Sequence, residues 1–204
     1  EWTEAERLAH EKTALGFYVS GHPFAAYAAE LAPLVKTSLS AIQPRQERFL
    51  VAGIVTALRI QQGKRGKNAF VTLDDGKGTA EITVWNEAFD AARPLLREDH
   101  LVVVEVKVMQ RIGEDGDAQS LRIVAENVFD LAAVRKRWAK RLTLSCNGNA
   151  DAGRLAEILG PFRAEGVPVT IHYENGRVAG DVDLPDDWRV NPDPALIDRL
   201  REWL

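Results

Sequence analysis

Cysteine is almost absent: Cys146 stands alone in 204 residues, which excludes an internal disulfide framework and fits a reducing cytoplasm. Methionine is as scarce. With Met109 the only one, Glu1 is not expected to be a natural start, and the chain reads as a fragment or a processed product. No apolar run reaches the ~18 residues that a membrane-spanning helix requires, and no basic-then-apolar leader opens the chain, so no membrane partner is expected. The histidines (His10, His22, His100 and His172) lie far apart without ligand spacing, and one thiol cannot complete a thiolate site. Ser20-Gly21-His22 lacks the glycine before serine that a nucleophile elbow needs. Neither a metal, a cofactor nor a catalytic residue is expected in this piece.

What remains is an ordinary apolar and charged composition, 46% and 27%, long enough for one large or two small domains. The formal charge is −4, which argues against a nucleic-acid binder until its distribution is read. From Arg45 to Asn68 there are six basic residues (Arg45, Arg48, Arg59, Lys64, Arg65, Lys67) against Glu47. Residues 131–150 hold Arg135, Lys136, Arg137, Lys140 and Arg141 with no acid, whereas 113–117 holds Glu114, Asp115 and Asp117.

The periodicities predict a mixed α+β chain in three parts. Residues 1–36 read as helical: Thr3 and Glu6 form a capping box, Ala5, Leu8, Ala9 and Leu15 share a face, Gly16 is a stop, and Pro23 suits a first helical position before Phe24, Tyr27, Ala28 and Leu31. Residues 37–131 read as a barrel. A long first strand runs from Phe49 to Ile60, with Gly53 expected at a bulge or bend. Strands follow at Ala69–Leu73 and Thr79–Trp85, then a short helix that Pro94 should bend or tighten, and strands at His100–Met109 and Ser120–Phe129. The order β-β-β-α-β-β is that of the five-stranded oligonucleotide-binding (OB) barrel, whose ligand face lies on strands 2 and 3. Residues 132–204 read as a small α/β domain: a basic helix, a strand at Leu142–Ser145, a helix from Asp151 to Phe162, a strand carrying Val167, Val169, Ile171 and Tyr173, an Asn175-Gly176 hairpin turn, and a last helix with Leu196, Ile197, Leu200, Trp203 and Leu204 on one stripe.

Within the barrel the loop Gln61 to Asn68 is the strongest binding candidate. Its glycines admit phosphates to the backbone, and Lys64, Arg65 and Lys67 supply counter-charge, each neutralised phosphate adding ~0.7 to the log–log salt slope on a single strand. Arg48 and Arg59 are expected to line the same groove. Phe70 and Trp85 are base-stacking candidates if they face outward, worth ~1–3 kcal/mol each, and core residues if they face inward. Arg111 and Arg122 bracket the acidic loop between strands 4 and 5, which should repel phosphate, so weak binding is expected. Asp74 and Asp75 invite a two-metal reading, but the Gly-Lys-Gly that follows marks a tight turn. Trp188, Leu200, Trp203 and Leu204 are candidates for contact with a partner protein, packing on their own sheet being the equal alternative.

Glu11-Lys-Thr-Ala-Leu-Gly-Phe-Tyr-Val-Ser-Gly-His-Pro23 resembles a segment of the bacterial replicative DNA polymerase III alpha subunits that precedes an OB barrel. The downstream order is similar too: Lys64-Arg65-Gly66, Thr72-Leu73-Asp74-Asp75, Val167-Pro168-Val169 and Trp188-Arg189-Val190. The resemblance implies a cytoplasmic replication protein whose catalytic aspartates, Mg2+ sites and sliding-clamp motif lie upstream. The nucleotidyltransferase activity would then belong to the parent protein and not to this fragment. It implies that the barrel touches single-stranded template DNA and that residues 132–204 dock the tau subunit of the clamp loader. Two alternatives are an anticodon-type OB module that binds RNA and a protein-interaction scaffold with a vestigial barrel.

Overall fold

The computed structural model describes residues 4–16, 18–63, 66–112, 119–147 and 151–203, with the backbone alone at 4, 5, 9, 111, 112, 119 and 120. The chain divides into two compact units, Glu1–Leu131 and Ala132–Leu204.

The first unit opens with helix α1 (Glu4–Leu15). It ends where Gly16 takes φ +81, a left-handed value that glycine accepts without strain, and donates its N–H to the Lys12 carbonyl at 2.9 Å. Thr3 of the expected capping box lies outside the described residues. Leu8 is buried, but Leu15, expected on the same face, is 54% exposed. Helix α2 (Ala25–Leu31) begins later than expected. Pro23 sits in the preceding turn, and the Ala25 N–H closes on the His22 carbonyl at 2.9 Å. The segment after α2 is more than a connector, because Leu39 and Ile42 are buried in the barrel core.

Strand β1 (Arg45–Gly63) is longer at both ends than the alternation suggested. Its first half pairs with β4 (Leu101–Ile112) as far as Ile54, and its second half pairs with β2 (Gly66–Asp74) from Ile54 onward. One strand therefore serves both sides of the barrel. The bulge toward β2 is not at Gly53: the register shifts between Val55 and Ala57, leaving Thr56 as the extra residue. Gly53 instead allows close approach, since a Cβ there would lie 3.0 Å from the Asp74 carbonyl oxygen. Strand β3 (Thr79–Trp85) pairs antiparallel with β2. It closes the barrel by a short parallel seam with β5 (Gln119–Phe129): Ile82 opposite Ile123, Thr83 opposite Val124, Val84 opposite Ala125. The order is β1-β2-β3-β5-β4, closed.

Valines dominate the lumen. Val51, Val55, Val71, Val84, Val102, Val104, Val106 and Val108 are all buried with Leu73 and Ile82, each worth ~1.5–3 kcal/mol of burial and each suited to a pleated surface. Helix α3 (Asn86–Ala92) adds Phe89 and Ala92 to that core. It stops before Pro94, which has no N–H to carry the ladder on, and the chain tightens there: Arg93 keeps helical angles, φ −49 and ψ −42, and the Leu95 N–H reaches the Ala92 carbonyl at 2.8 Å.

The second unit holds α4 (Leu131–Trp138, its first residue closing the first unit), β6 (Leu142–Cys146), α5 (Ala152–Leu159), β7 (Arg163–Val167), β8 (Val169–Glu174), β9 (Ala179–Asp183) and α6 (Pro194–Trp203). Asp151 caps α5, its carboxylate accepting the Gly153 N–H at 2.8 Å. Pro168 divides what the alternation read as one strand, so Val167 belongs to β7 and Val169 to β8. The sheet runs β6-β8-β9, with β6 and β8 parallel and β8 and β9 antiparallel. Its core gathers Leu144, Leu155, Ile158, Leu159, Val169, Val190, Leu196 and Leu200. Among the described residues no helix is long and apolar enough to cross a membrane.

Candidate nucleic-acid interface

Alternation along β2 and β3 decides which side chains leave the barrel. Ala69, Val71 and Leu73 are buried, as are Ile82 and Val84. Residues offset by one from these, Asn68, Phe70 and Thr72 on β2 and Glu81, Thr83 and Trp85 on β3, therefore point outward, although Thr83, between Phe70 and Val124, is itself buried. Phe70 and Trp85 share the outer face, half-buried and absent from the core cluster. Strand register runs one row across this face: Arg59 opposite Phe70, Phe70 opposite Thr83, Thr83 opposite Val124, and Val124 opposite Lys107.

Each aromatic carries a guanidinium. The Arg59 carbon lies 4.7 Å from the Phe70 ring centre, and that of Arg122 lies 4.9 Å from the Trp85 ring centre, both within cation–π range. Two flat apolar rings on adjacent strands, each flanked by a planar cation, can stack unpaired bases and meet the phosphates beside them. The face also contains acid. Glu81 approaches Arg59 at 3.8 Å, with both side chains more than half exposed.

The structure thus brings together Arg59, Phe70, Trp85 and Arg122. Lys67 is exposed on β2 near the hairpin end, in register with Gln62. Lys64 and Arg65 lie outside the described residues, as do the Arg111 side chain and the acids Glu114, Asp115 and Asp117. Arg48 stands apart from the others: it lies in the β4-paired half of β1 and meets Glu126 at 3.6 Å. Lys107 escaped the sequence reading. The alternation Val104-Glu105-Val106-Lys107-Val108 was sufficient to place it outward, and it is exposed at the end of the row that begins with Arg59.

The aspartate pair is a turn. Asp75 is buried, and its carboxylate accepts the N–H groups of Leu39 at 2.8 Å and of Lys77 and Gly78 at 2.9 Å. Asp74 accepts from Gly76 at 2.8 Å. Among the described residues no three His, Cys, Asp or Glu side chains gather around a point that would hold a metal.

The Glu11–Pro23 segment clasps the barrel. Glu11 accepts the N–H groups of Val19 and Ser20 at 2.7 and 2.9 Å, and the bonds from Ser20 and Val19 hold its carboxyl below the usual range. The Tyr18 hydroxyl donates to Asp99 at 3.1 Å, and Lys12 lies 3.8 Å from the same carboxylate. Burial and the Asp99 carboxylate push the Tyr18 phenol up to about 12. His22 reaches Asp74 at 3.4 Å while its Nδ1 accepts the Phe24 N–H. These residues tie the helices to the β2–β3 turn and to the connection before β4.

In the second unit Leu200 is 3% exposed. It holds the core together, which corrects its assignment as a partner contact. Trp188 and Trp203 pack partly buried against the same core, and Arg163 stacks over Trp188 at 4.6 Å. Leu204 lies outside the described residues.

Comparison with known proteins follows the same division. Residues 49–131 match the family described as an OB-fold nucleic acid binding domain, and residues 154–204 match the DNA polymerase III subunit alpha, C-terminal domain. The DNA polymerase III subunit alpha of Neisseria meningitidis serogroup A is 37% identical over 206 residues, covering 100% of this chain and 18% of the relative. That of Vibrio cholerae is 34% identical over 211 residues, covering 100% and 18%. That of Escherichia coli K12 is 29% identical over 208 residues, covering 98% and 18%. The chain therefore spans about a fifth of the length of the curated relatives it matches. The second OB-fold domain of replication protein A from Methanococcus maripaludis resembles the chain only loosely, with a TM-score of 0.33 and 22% identity over 46% of this chain and 91% of that one. With both units matched in order and every part of the sequence aligned, the chain belongs to the bacterial DNA polymerase III alpha subunit family, corresponding to its C-terminal region.

Proposed function

We propose that the barrel holds single-stranded template DNA beside a polymerase whose chemistry lies elsewhere in the parent protein. Bases stack on Phe70 and Trp85, while Arg59, Arg122, Lys107 and the hairpin cations Lys64, Arg65 and Lys67 meet the phosphates. The observation that carries this reading is the pairing of each outward ring with a guanidinium on one face. Glu81 and the acidic 113–117 loop make the binding weak. Weak binding suits a strand that must keep moving. The second unit docks the tau subunit of the clamp loader, and the assembly works in the bacterial cytoplasm with Mg2+ bound by the polymerase core upstream.

A salt-dependent titration with oligo-dT tests the barrel. Each phosphate engaged should steepen the log–log slope by ~0.7, and reversing Lys64, Arg65 and Lys67 together should flatten it. Unchanged binding after that reversal at low salt would favour the scaffold reading, and preference for tRNA over oligo-dT would favour the anticodon-type module. Capture of purified tau by the chain tests the second unit.

A further inference from the structure

Among the described residues the sheet of the second unit ends in an edge strand with one neighbour. Strand β9 is outermost in the order β6-β8-β9, and all five of its residues are exposed. The ladder's parity follows from two backbone bonds, Asn175 N–H to the Val178 carbonyl and Leu184 N–H to the Val169 carbonyl. Bonded and non-bonded pairs alternate between antiparallel strands. Gly180 and Val182 therefore spend their backbone groups on Tyr173 and Ile171, whereas Ala179, Asp181 and Asp183 turn theirs away from β8. That leaves a row of donors and acceptors facing out of the sheet.

The side chains beside this row sort by face. Val182 is opposite Ile171, on the face that packs the core, and Val182 and Val178 are 56% and 62% exposed. On the opposite face Asp181 meets His172 at 2.5 Å, and Asp183 meets Arg141 at 2.5 Å. A second copy of the chain does not fit along the whole strand. Antiparallel pairing of β9 with itself over its full length sets Asp181 against Asp181, and like charges directly opposite destabilise a sheet; the register that avoids this by setting Asp181 against Ala179 pairs only three of the five residues of β9. A strand with lysine or arginine facing the two aspartates, and β-branched apolar residues facing the valines, satisfies both faces.

We propose that β9 is the docking edge for an extended basic segment of a partner protein, which joins the sheet as a further strand. This rests on the reading that the second unit is the partner-binding half. Two variants of the full chain test it. Ala179→Pro removes one outward donor and no ladder bond, and D181K/D183K reverses the charge. A synthetic peptide of alternating lysine and valine should bind the parent chain and bind each variant about tenfold more weakly. Its glutamate–valine counterpart should bind D181K/D183K alone, a rescue that misfolding cannot produce. Equal binding of the lysine peptide to all three chains overturns the proposal. The same variants separate the two readings with tau. Failure of the parent chain to capture tau sinks the partner reading and leaves the peptide result to judge β9. Capture that both variants leave intact sinks the β9 assignment.

Discussion

Replacing Trp85 with alanine is the most direct trial of the stacking face. A base on an aromatic platform contributes ~1–3 kcal/mol. The Trp85 ring already carries the Arg122 guanidinium at 4.9 Å, an exposed contact worth ~0.5–1 kcal/mol that an incoming base must share or displace. The net loss on truncation is therefore about 0.5–2 kcal/mol, which is about 2- to 30-fold in the dissociation constant. Affinity is to be followed by fluorescence anisotropy of labelled oligo-dT across a series of salt concentrations, with thermal melting to show that the barrel is intact. The ring bears no charge, so its removal should shift the binding line without changing its slope. Arg122→Ala, by contrast, should lower the slope by ~0.7 as well as the affinity. The decisive comparison is this pair of signatures. If Trp85→Ala melts like the parent and binds oligo-dT equally at every salt concentration, bases do not stack on this face and the interface lies elsewhere.

Three further outcomes follow from the geometry. Glu81→Gln releases Arg59 from a carboxylate 3.8 Å away; because exposed pairs are worth at most about 1 kcal/mol, oligo-dT affinity should rise about 2- to 5-fold at low salt and converge with the parent at high salt. Asp75→Ala strands the amides of Leu39, Lys77 and Gly78, and should cost about 3–5 kcal/mol in denaturant unfolding of the first unit. The Glu11 carboxyl is held below its ordinary value of 4.5 by the bonds from Ser20 and Val19. A depressed folded-state pKa contributes stability that is present above the ordinary value and is lost as the pH falls through the folded one. Melting temperatures of the parent and Glu11→Gln should therefore stay separated at neutral pH and converge only below about pH 4.5; a gap that persists into acid would assign Glu11 a role other than ionic capping.

The barrel's strand order was legible because it depends on local alternation and on turn residues, both written in short windows. The face of Phe70 was not, since Ala69-Phe70-Val71-Thr72-Leu73 is apolar at both parities and only the partner strands reveal which row lines the lumen. Trp85 was easier, because Ile82 and Val84 define the inner row and leave it outside. The clasp was hidden for a different reason. Tyr18 and Asp99 stand 81 residues apart, and nothing near either residue announces the other, so a motif that reads as a signature of kinship gives no hint of its mechanical task. Gly53 signalled an irregular strand without saying where the register would slip, which is at Thr56, and the approach of the Asp74 backbone to it is a contact 21 residues away that no local pattern announces. Leu200 and Trp203 fall on one helical stripe whether that stripe meets a sheet or a partner. Apolar periodicity specifies that a face will be covered, but the identity of the cover is a long-range property. The exposed valines at and beside β9, Val182 and Val178, pose the same question at a surface that the described residues leave open, and there the two aspartates select the charge of what fits.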